Sequence, residues 1–184
     1  MMNIPNFLSL LRIILVPVIV IFLIQGEYAQ ALIVFSFAGI TDALDGMLAR
    51  ILNKQTQLGA FLDPLADKIL LSTGFISLSI FGLIPSWLTV IVISRDLIIL
   101  MGIMTLSMMS VPYEIKPVFI SKITTALQIG TLFLALFLKS FTFDAIDYSQ
   151  LLSFLSWLTA LFTILSGLVY IFKGINILNR SSDK

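Results

Sequence analysis

The sequence predicts an all-α fold, a polytopic membrane bundle of six transmembrane helices. Hydrophobic residues make up 59% of the 184 residues and charged residues only 11%, whereas about a quarter of the residues in an average soluble domain are charged. The apolar residues form six long runs, each near the ~20 residues that a helix needs to cross a bilayer. Short breaks with glycine, proline or polar residues separate them. We therefore expect a single membrane domain over 1–184.

Each of the first three predicted helices is followed by a short break that contains turn-forming or polar residues. The first is an apolar run whose one charged residue is Arg12, and it stops at a polar break that contains a glycine. The second and third carry aspartates inside otherwise apolar runs. The predicted spans are 7–24, 28–50 and 59–81, and the breaks that follow them are 25–27, 53–55 and 82–85.

The last three predicted helices follow the same logic. The fourth begins after the third break and contains an arginine and an aspartate near its middle, the fifth begins at a proline, and the sixth contains no charged residue. The predicted spans are 85–109, 117–138 and 151–172, with breaks at 111–112 and 139–149.

An even number of spans places both termini on one side of the membrane, so the loop charges of the two faces can be compared. One face collects nearly all of the basic residues, and the positive-inside rule makes that face, with both termini, cytoplasmic. This face holds Arg50, Lys54, Lys116, Lys173, Arg180 and Lys184, and the other holds Lys139 with Glu27, Asp144 and Asp147.

The composition excludes several kinds of site. Because the chain has no cysteine and no histidine, it cannot form disulfides, thiol nucleophiles or zinc sites with nitrogen or sulfur ligands. The net charge of +1 excludes an extended nucleic-acid surface. Any bound metal must be held by oxygen.

Four aspartates lie in or at the edge of apolar helices, where an unpaired charge costs several kcal/mol. Asp42 and Asp45 share one face of the second predicted helix, and Asp63 and Asp67 share one face of the third. The two helices are antiparallel and joined by a short loop, so both acidic faces can meet near the cytoplasmic surface. A pair of Mg²⁺ or Mn²⁺ ions resolves the repulsion among four carboxylates.

Small residues lie between these aspartates and leave a concave space beside them. The small residues are Gly46, Ala49 and Gly59, and Arg50 ends the same stretch with a fork suited to a diphosphate. An alternative is that these are helix-end charges and packing glycines, with the acids paired to Lys54 and Lys68. Two basic neighbours do not balance four acids at this depth.

The joint spacing Asp42-x2-Asp45-Gly46-x2-Ala49-Arg50-x8-Gly59-x3-Asp63-x3-Asp67 resembles the signature of the CDP-alcohol phosphatidyltransferase family, without a departure at its fixed positions. The resemblance extends to the branch that contains phosphatidylglycerophosphate synthases and eukaryotic-type cardiolipin synthases. It covers most of the chain and is weakest after Lys139. The further segments that carry it are Asn3-Ile-Pro-Asn6 with Arg12, Asp63-Pro-Leu-Ala-Asp67-Lys68, Ser94-Arg95-Asp96 and Lys116-Pro-x4-Lys122-x2-Thr125-x2-Gln128.

The resemblance implies a six-helix homodimer that transfers a phosphatidyl group from CDP-diacylglycerol to an alcohol and releases CMP. It assigns Asp42, Asp45 and Asp63 to the metals and makes Asp67 both a ligand and the general base. It also implies the residues that contact the nucleotide lipid, which are Asp45, Gly46, Ala49, Arg50 and Gly59.

A second cluster of polar residues lies on the fourth and fifth predicted helices. Arg95 and Asp96 fall near the middle of the fourth predicted helix, and Ser121, Lys122, Thr125 and Gln128 form a polar stripe on the fifth. We expect Arg95 and Lys122 to bind the phosphate of the acceptor. The alternatives are a local ion pair for Arg95 and snorkelling to the interface for Lys122, and snorkelling is the favoured interpretation for Arg12 and Lys173.

The expected acceptor is phosphatidylglycerol, which would make the chain a cardiolipin synthase. The resemblance supports this through Ser94-Arg95-Asp96 and Ser121, and a pocket in which Asp96 offsets Arg95 suits a singly charged phosphodiester. Glycerol 3-phosphate is the alternative acceptor. A divalent-cation channel or transporter is the alternative from another class, but its acids should line a pore through the bilayer rather than gather at one depth.

Overall fold

The computed structural model describes residues 4–52, 57–109, 118–141 and 148–182, and it describes their side chains except at 4–6, 43–62, 107 and 180–182. Six α-helices account for nearly all of these residues, and no β-strand occurs among them. The helices are α1 (Ile4–Ile24), α2 (Tyr28–Leu52), α3 (Gln57–Ile80), α4 (Ser86–Met108), α5 (Phe119–Ser140) and α6 (Ser149–Ser182). The predicted all-α fold with six helices is confirmed.

Four of the described helices are long and apolar enough to cross a membrane. The qualifying segments are Phe7–Ile24 in α1, Ser86–Leu106 in α4, Phe119–Ser140 in α5 and Ser149–Asn179 in α6. The other two helices, α2 and α3, carry the predicted carboxylate site. Their passage through the bilayer stays a prediction.

Two glycines in the predicted breaks follow helices and have left-handed backbone. Gly26 follows α1 with φ of 76°, and Gly82 follows α3 with φ of 71°. After α1 the amide of Glu27 donates to the carbonyl of Phe22 at 2.8 Å. The amide of Leu83 makes the equivalent bond after α3 to the carbonyl of Leu78, also at 2.8 Å. Both ends are Schellman-type caps, in which glycine avoids the Cβ penalty of positive φ.

The sixth helix is longer than predicted. The apolar run ends near 172, but α6 continues to Ser182 and contains 34 residues. At 1.5 Å per residue such a helix is about 50 Å long, which exceeds the ~30 Å hydrocarbon core of a bilayer. The apolar run indicates the segment that fits the lipid, and the helix extends beyond that segment.

The chain divides into two compact units. The first unit contains Met1–Ile84 and Leu132–Tyr148, and the second contains Pro85–Thr131 and Ser149–Lys184. In the first unit α1 packs against both α2 and α3, and in the second α4 packs against α6. The helix α5 contributes its first half to the second unit and its second half to the first.

The core of the first unit is organised by a buried stripe on α1. Its members recur at alternating spacings of three and four, so they lie on one face of the helix. The helices α2 and α3, against which α1 packs, bury small and apolar residues of their own, among them Ala31, Phe35, Ala38, Ala66 and Leu70. The stripe itself consists of Ser9, Arg12, Val16, Ile19 and Leu23, each at most 7% exposed.

The core of the second unit contains small and hydroxyl-bearing residues on α6. Such residues let membrane helices approach closely and hydrogen-bond to one another. The Oγ1 of Thr124 on α5 donates to the carbonyl of Phe162 at 3.0 Å, and Thr131 and Thr159 share a hydrogen bond at 2.8 Å. The buried residues of α6 are Ser156, Thr159, Ala160, Thr163, Ser166 and Gly167.

Candidate active site

The centre of the carboxylate site is an arginine that the sequence analysis placed elsewhere. Arg12 is fully buried on α1, at 0% exposure. Its Nη2 lies 2.7 Å from Oδ1 of Asp42 on α2, and its Nη1 donates to Oδ1 of Asp67 on α3. The expectation that Arg12 snorkels to the interface is therefore wrong. The cost of an unpaired buried charge explains why the guanidinium turns to two carboxylates instead.

A second residue of the same helix face reaches the third aspartate. The hydroxyl of Ser9, one turn before Arg12, donates to Oδ1 of Asp63. Ser9 is also fully buried. Two neighbouring side chains of α1 therefore hold three aspartates from two other helices, and all of these residues belong to the first unit.

The carboxylates remain accessible although their partners are buried. The side chain of Asp42 is 42% exposed and that of Asp67 is 43% exposed, whereas Arg12 has no exposed area. Arg12 therefore covers the protein side of the two carboxylates, and a ligand can approach them from the opposite side.

The other residues predicted for the carboxylate and nucleotide site lie on α2 and α3, but their side chains are outside the described residues. The helical backbone carries them at the spacing that the sequence analysis used. They are Asp45, Gly46, Ala49, Arg50 and Gly59, and Lys54 between the two helices lies outside the described ranges. Their contacts stay predictions.

The donor set around Arg12 fits a hard divalent cation. Carboxylate oxygens are the ligands that Mg²⁺ and Mn²⁺ prefer, and Asp42 and Asp67 already converge on a positive charge. Among the residues with described side chains, no three acids form a ready metal-binding group. The fourth predicted ligand, Asp45, is not among those residues.

The second unit holds the other intramembrane arginine in a different environment. Arg95 is 10% exposed, and its Nη1 donates to Oδ1 of the adjacent Asp96 at 2.6 Å. Its Nη2 donates to the hydroxyls of Ser121 and Ser166, each at 2.8 Å. The guanidinium also lies 5.8 Å from the centre of the Tyr170 ring, a cation–π distance. This is the local ion pair that was the alternative interpretation of Arg95.

The polar stripe of α5 contains three residues in addition to Ser121, and these differ in burial and in hydrogen bonding. Gln128 is buried and its Nε2 donates to Thr163 of α6 at 3.4 Å, while Thr125 bonds back to the carbonyl of Ser121 at 3.1 Å. Lys122 is exposed. Gln128 therefore serves packing of α5 against α6, Thr125 bonds within its own helix, and Ser121 contacts Arg95.

A cavity lies in the second unit, between α4 and α6. It has a volume of about 530 Å³ and is lined largely by aliphatic residues, with Thr105, Tyr170, Lys173 and Asn176 as polar members. It contains no residue that the sequence analysis assigned to chemistry. Lys173 is exposed, as the snorkelling interpretation expects.

Sequence reasoning missed Ser9 and Arg12 although a signal for both was present. The apolar positions Val16, Ile19 and Leu23 predict the buried face of α1, and the same spacing extended backwards reaches Arg12 and Ser9. Polar residues in the buried stripe of a membrane helix need partners on neighbouring helices. The two aspartate faces offer such partners.

The comparison with known proteins identifies the family of the chain. A model of the CDP-alcohol phosphatidyltransferase family matches residues 2–165. The chain belongs to this family. Members of the family generally depend on a divalent metal, and the family together with the four long apolar helices identifies a membrane protein.

Relatives within the CDP-alcohol phosphatidyltransferase family carry two kinds of name. A human cardiolipin synthase (CMP-forming) is 38% identical over 166 residues, which cover 82% of this chain and 55% of the human protein. A CDP-diacylglycerol–glycerol-3-phosphate 3-phosphatidyltransferase of Bacillus subtilis is 32% identical over 197 residues, covering 99% of this chain and 100% of that protein. The chain thus spans little more than half the length of the human relative.

Proposed function

We propose that the chain transfers a phosphatidyl group from CDP-diacylglycerol to a glycerol-type acceptor and releases CMP. One observation carries the proposal: signature aspartates from α2 and α3 gather on one face of α1, with their outer sides exposed. Membership of a phosphatidyltransferase family favours this enzyme over a cation channel or transporter.

Asp42, Asp45, Asp63 and Asp67 are the proposed ligands of two Mg²⁺ or Mn²⁺ ions. When bound, the metals neutralise charge on the diphosphate and polarise the phosphorus that is attacked. The proposal is supported by the oxygen-only donor chemistry of the chain and by the convergence of Asp42 and Asp67 on a cation. Ser9 holds Asp63 in place.

Asp67 is also the proposed general base. A carboxylate within reach of the acceptor hydroxyl can take its proton as the oxygen attacks phosphorus. The exposure of Asp67 supports this role, because the acceptor can reach the side of the carboxylate that Arg12 does not cover. The CMP portion leaves with the electrons of the broken phosphorus–oxygen bond.

The proposed contacts to the nucleotide lipid are Asp45, Gly46, Ala49, Arg50 and Gly59. The small residues leave space for the cytidine, and the fork of Arg50 binds the diphosphate. Arg50→Ala should raise the KM for CDP-diacylglycerol by about tenfold, the scale of one charge-assisted contact, with a smaller change in kcat. An unchanged KM would remove Arg50 from the diphosphate site.

Phosphatidylglycerol is the proposed acceptor, with Arg95 and Lys122 binding its phosphate. The pairing of Arg95 with Asp96 supports this choice, since a largely compensated arginine suits a phosphodiester with one negative charge better than a phosphomonoester with nearly two. The similarity to the human cardiolipin synthase supports it as well.

Glycerol 3-phosphate is the second candidate acceptor. The observation that favours it is the full-length match to the Bacillus subtilis glycerol-3-phosphate phosphatidyltransferase.

The deciding experiment offers both acceptors to the purified protein. Labelled CDP-diacylglycerol is incubated with Mg²⁺ or Mn²⁺ and either phosphatidylglycerol or glycerol 3-phosphate, and the lipids are separated by thin-layer chromatography. Cardiolipin with the first acceptor supports the proposal. Phosphatidylglycerophosphate with the second and no cardiolipin supports the alternative, and no CMP release with either acceptor rejects the reaction class.

A homodimer with cytoplasmic termini is the proposed state in the membrane. The bias of basic residues to one face supports this orientation. Because the chain has no cysteine, Glu27→Cys and Asn179→Cys each introduce a single labelling site. In sealed right-side-out vesicles, an impermeant maleimide should label Glu27→Cys and not Asn179→Cys. The reverse pattern would invert the orientation, and cross-linking in detergent tests the dimer.

A further inference from the structure

We propose that Arg12 is a positioning residue and an internal counter-ion of the carboxylate site, which holds Asp42 and Asp67 and competes with the divalent cation for them. The inference rests on the proposed function in one respect: it takes these aspartates to be the metal ligands. The CDP-alcohol phosphatidyltransferase signature spans residues 42–67 and contains no residue of α1. Arg12 therefore adds a third helix to the site.

The position of Arg12 makes it a permanent part of the site. Its side chain is fully buried, and an arginine inside an apolar bundle is stable only with partners. Both partners come from distant parts of the chain, 30 and 55 residues away in α2 and α3. The guanidinium therefore fixes two carboxylates of different helices relative to α1.

The shape of the guanidinium matters as much as its charge. Nη1 and Nη2 each take one carboxylate, so one rigid plane sets the separation of Asp42 and Asp67. A lysine ammonium is a point charge on a flexible stem. It can compensate charge but cannot fix two carboxylates in the same plane.

The guanidinium of Arg12 and a bound divalent cation act on the same carboxylates from opposite sides. Asp42 and Asp67 together carry two negative charges, and Arg12 reduces this to one. A divalent cation must therefore bind to a partly compensated site. Removal of Arg12 makes the site more negative and should tighten binding of the cation, while the metal-free protein becomes less stable because two close carboxylates lose their counter-ion.

The role as a counter-ion separates this inference from a purely structural role. A residue that only packs α1 against α2 and α3 would, when replaced, loosen the site and weaken metal binding. A counter-ion, when replaced, makes the metal bind more tightly and makes it contribute more to stability, because the bound cation substitutes for the lost charge.

The experiment measures Mn²⁺ binding and thermal stability of the purified full chain, without CDP-diacylglycerol or acceptor. Electron paramagnetic resonance gives the Kd for Mn²⁺, and melting in EDTA and in saturating Mn²⁺ gives the shift in Tm that the metal causes. The variants are Arg12→Gln, which removes the charge, and Arg12→Lys, which keeps it without the fork. Lys173→Gln removes an exposed cation of the second unit and is the matched control.

Arg12→Gln should lower the Tm in EDTA, tighten Mn²⁺ binding on the order of tenfold, and show a larger Mn²⁺-dependent rise in Tm than the wild type. Arg12→Lys should lower the Tm in EDTA with a smaller tightening, and Lys173→Gln should match the wild type in both. If Arg12→Gln does not fold, Arg12→Lys decides alone. Unchanged or weaker Mn²⁺ binding, or no binding by wild type and variant alike, overturns the inference.

The outcomes also distinguish this inference from the proposed function. Tighter Mn²⁺ binding by the Arg12 variants with no CMP release from the wild type would leave the counter-ion in place and reject the reaction. CMP release by the wild type with unaltered Mn²⁺ affinity in the variants would support the reaction and reject the counter-ion role of Arg12.

Discussion

Among the described side chains, each unit holds one arginine within its apolar helices, and the two arginines differ in their partners. Arg12 of the first unit binds carboxylates of two other helices, and those carboxylates are more than two-fifths exposed. Arg95 of the second unit binds its own neighbour Asp96, which is 16% exposed, and two serine hydroxyls. Acidic partners that face outward are accessible to a ligand, whereas Asp96 lies mostly shielded beside Arg95 and compensates its charge. Burial of the charge is common to both, so exposure of the partners is the informative difference.

The largest expected effect comes from the exposed carboxylates of the first unit. EDTA should abolish CMP release, and Asp63→Asn should lower turnover to the level seen in EDTA, because the chain has no histidine or cysteine that could replace a carboxylate. The same holds for Asp42→Asn and Asp45→Asn. The measurement is CMP release over a Mg²⁺ or Mn²⁺ titration.

The matched control for this prediction is Asp96→Asn in the second unit. It should lower the Tm but leave unchanged the metal concentration that gives half-maximal activity. Full activity in EDTA would remove the metals from the proposal, and a shifted metal requirement in Asp96→Asn would erase the distinction between the two units.

The next effect concerns the partner of Arg12 on α3. Asp67→Asn should lower kcat by about 10²-fold or more, the scale of a lost general base, while CDP-diacylglycerol binding is retained better than in Asp63→Asn. Single-turnover rates and binding of the nucleotide lipid give the two quantities separately. Equal losses of binding and rate in both variants would make Asp67 chiefly a ligand.

A smaller expected effect tests whether Arg95 binds the acceptor or only stabilises the fold. Arg95→Gln leaves Asp96 buried without its counter-ion and should cost about 3–5 kcal/mol of stability. It should also raise the KM for the acceptor by roughly tenfold through loss of a charge-assisted phosphate contact. The measurements are the Tm and the KM for phosphatidylglycerol.

The double variant Arg95→Gln/Asp96→Asn is the control, because it removes both charges together. It should recover much of the lost stability and keep the raised KM. A KM that returns to the wild-type value along with the Tm would limit Arg95 to a structural role.

The smallest effect compares the packing of the two units at one glycine each. A Cβ at Gly74 would lie 3.0 Å from Cδ1 of the fully buried Leu132, whereas one at Gly167 would lie 3.4 Å from Cγ of Arg95. Replacement of a helical glycine by alanine gains about 1 kcal/mol, and overpacking costs about 1–3 kcal/mol. Gly74→Ala should therefore lower the Tm slightly and Gly167→Ala leave it unchanged or raised. Equal shifts would show that both sites relax alike.

Much of the architecture follows from local sequence. Apolar runs near the length of a bilayer predict six helices, and the glycines at 26 and 82 predict the caps that end α1 and α3. The spacings of Asp42 with Asp45 and of Asp63 with Asp67 place each pair on one helix face. These properties depend on residues within a few positions of one another, which is why the chain alone determines them. The end of α6 was predicted about ten residues early, because an apolar run measures the lipid-embedded part of a helix rather than its hydrogen bonding.

Only the tertiary structure shows which partners the two arginines hold. From sequence, a lone arginine in an apolar run can snorkel to the interface or pair within the bundle, and the expectations are snorkelling for Arg12 and ligand binding for Arg95. The partners of Arg12 are 30 and 55 residues away, whereas Arg95 has an acid as its immediate neighbour. Which of two low-energy solutions a buried charge adopts depends on whether packing brings a distant carboxylate within hydrogen-bond reach, and no local pattern encodes that distance.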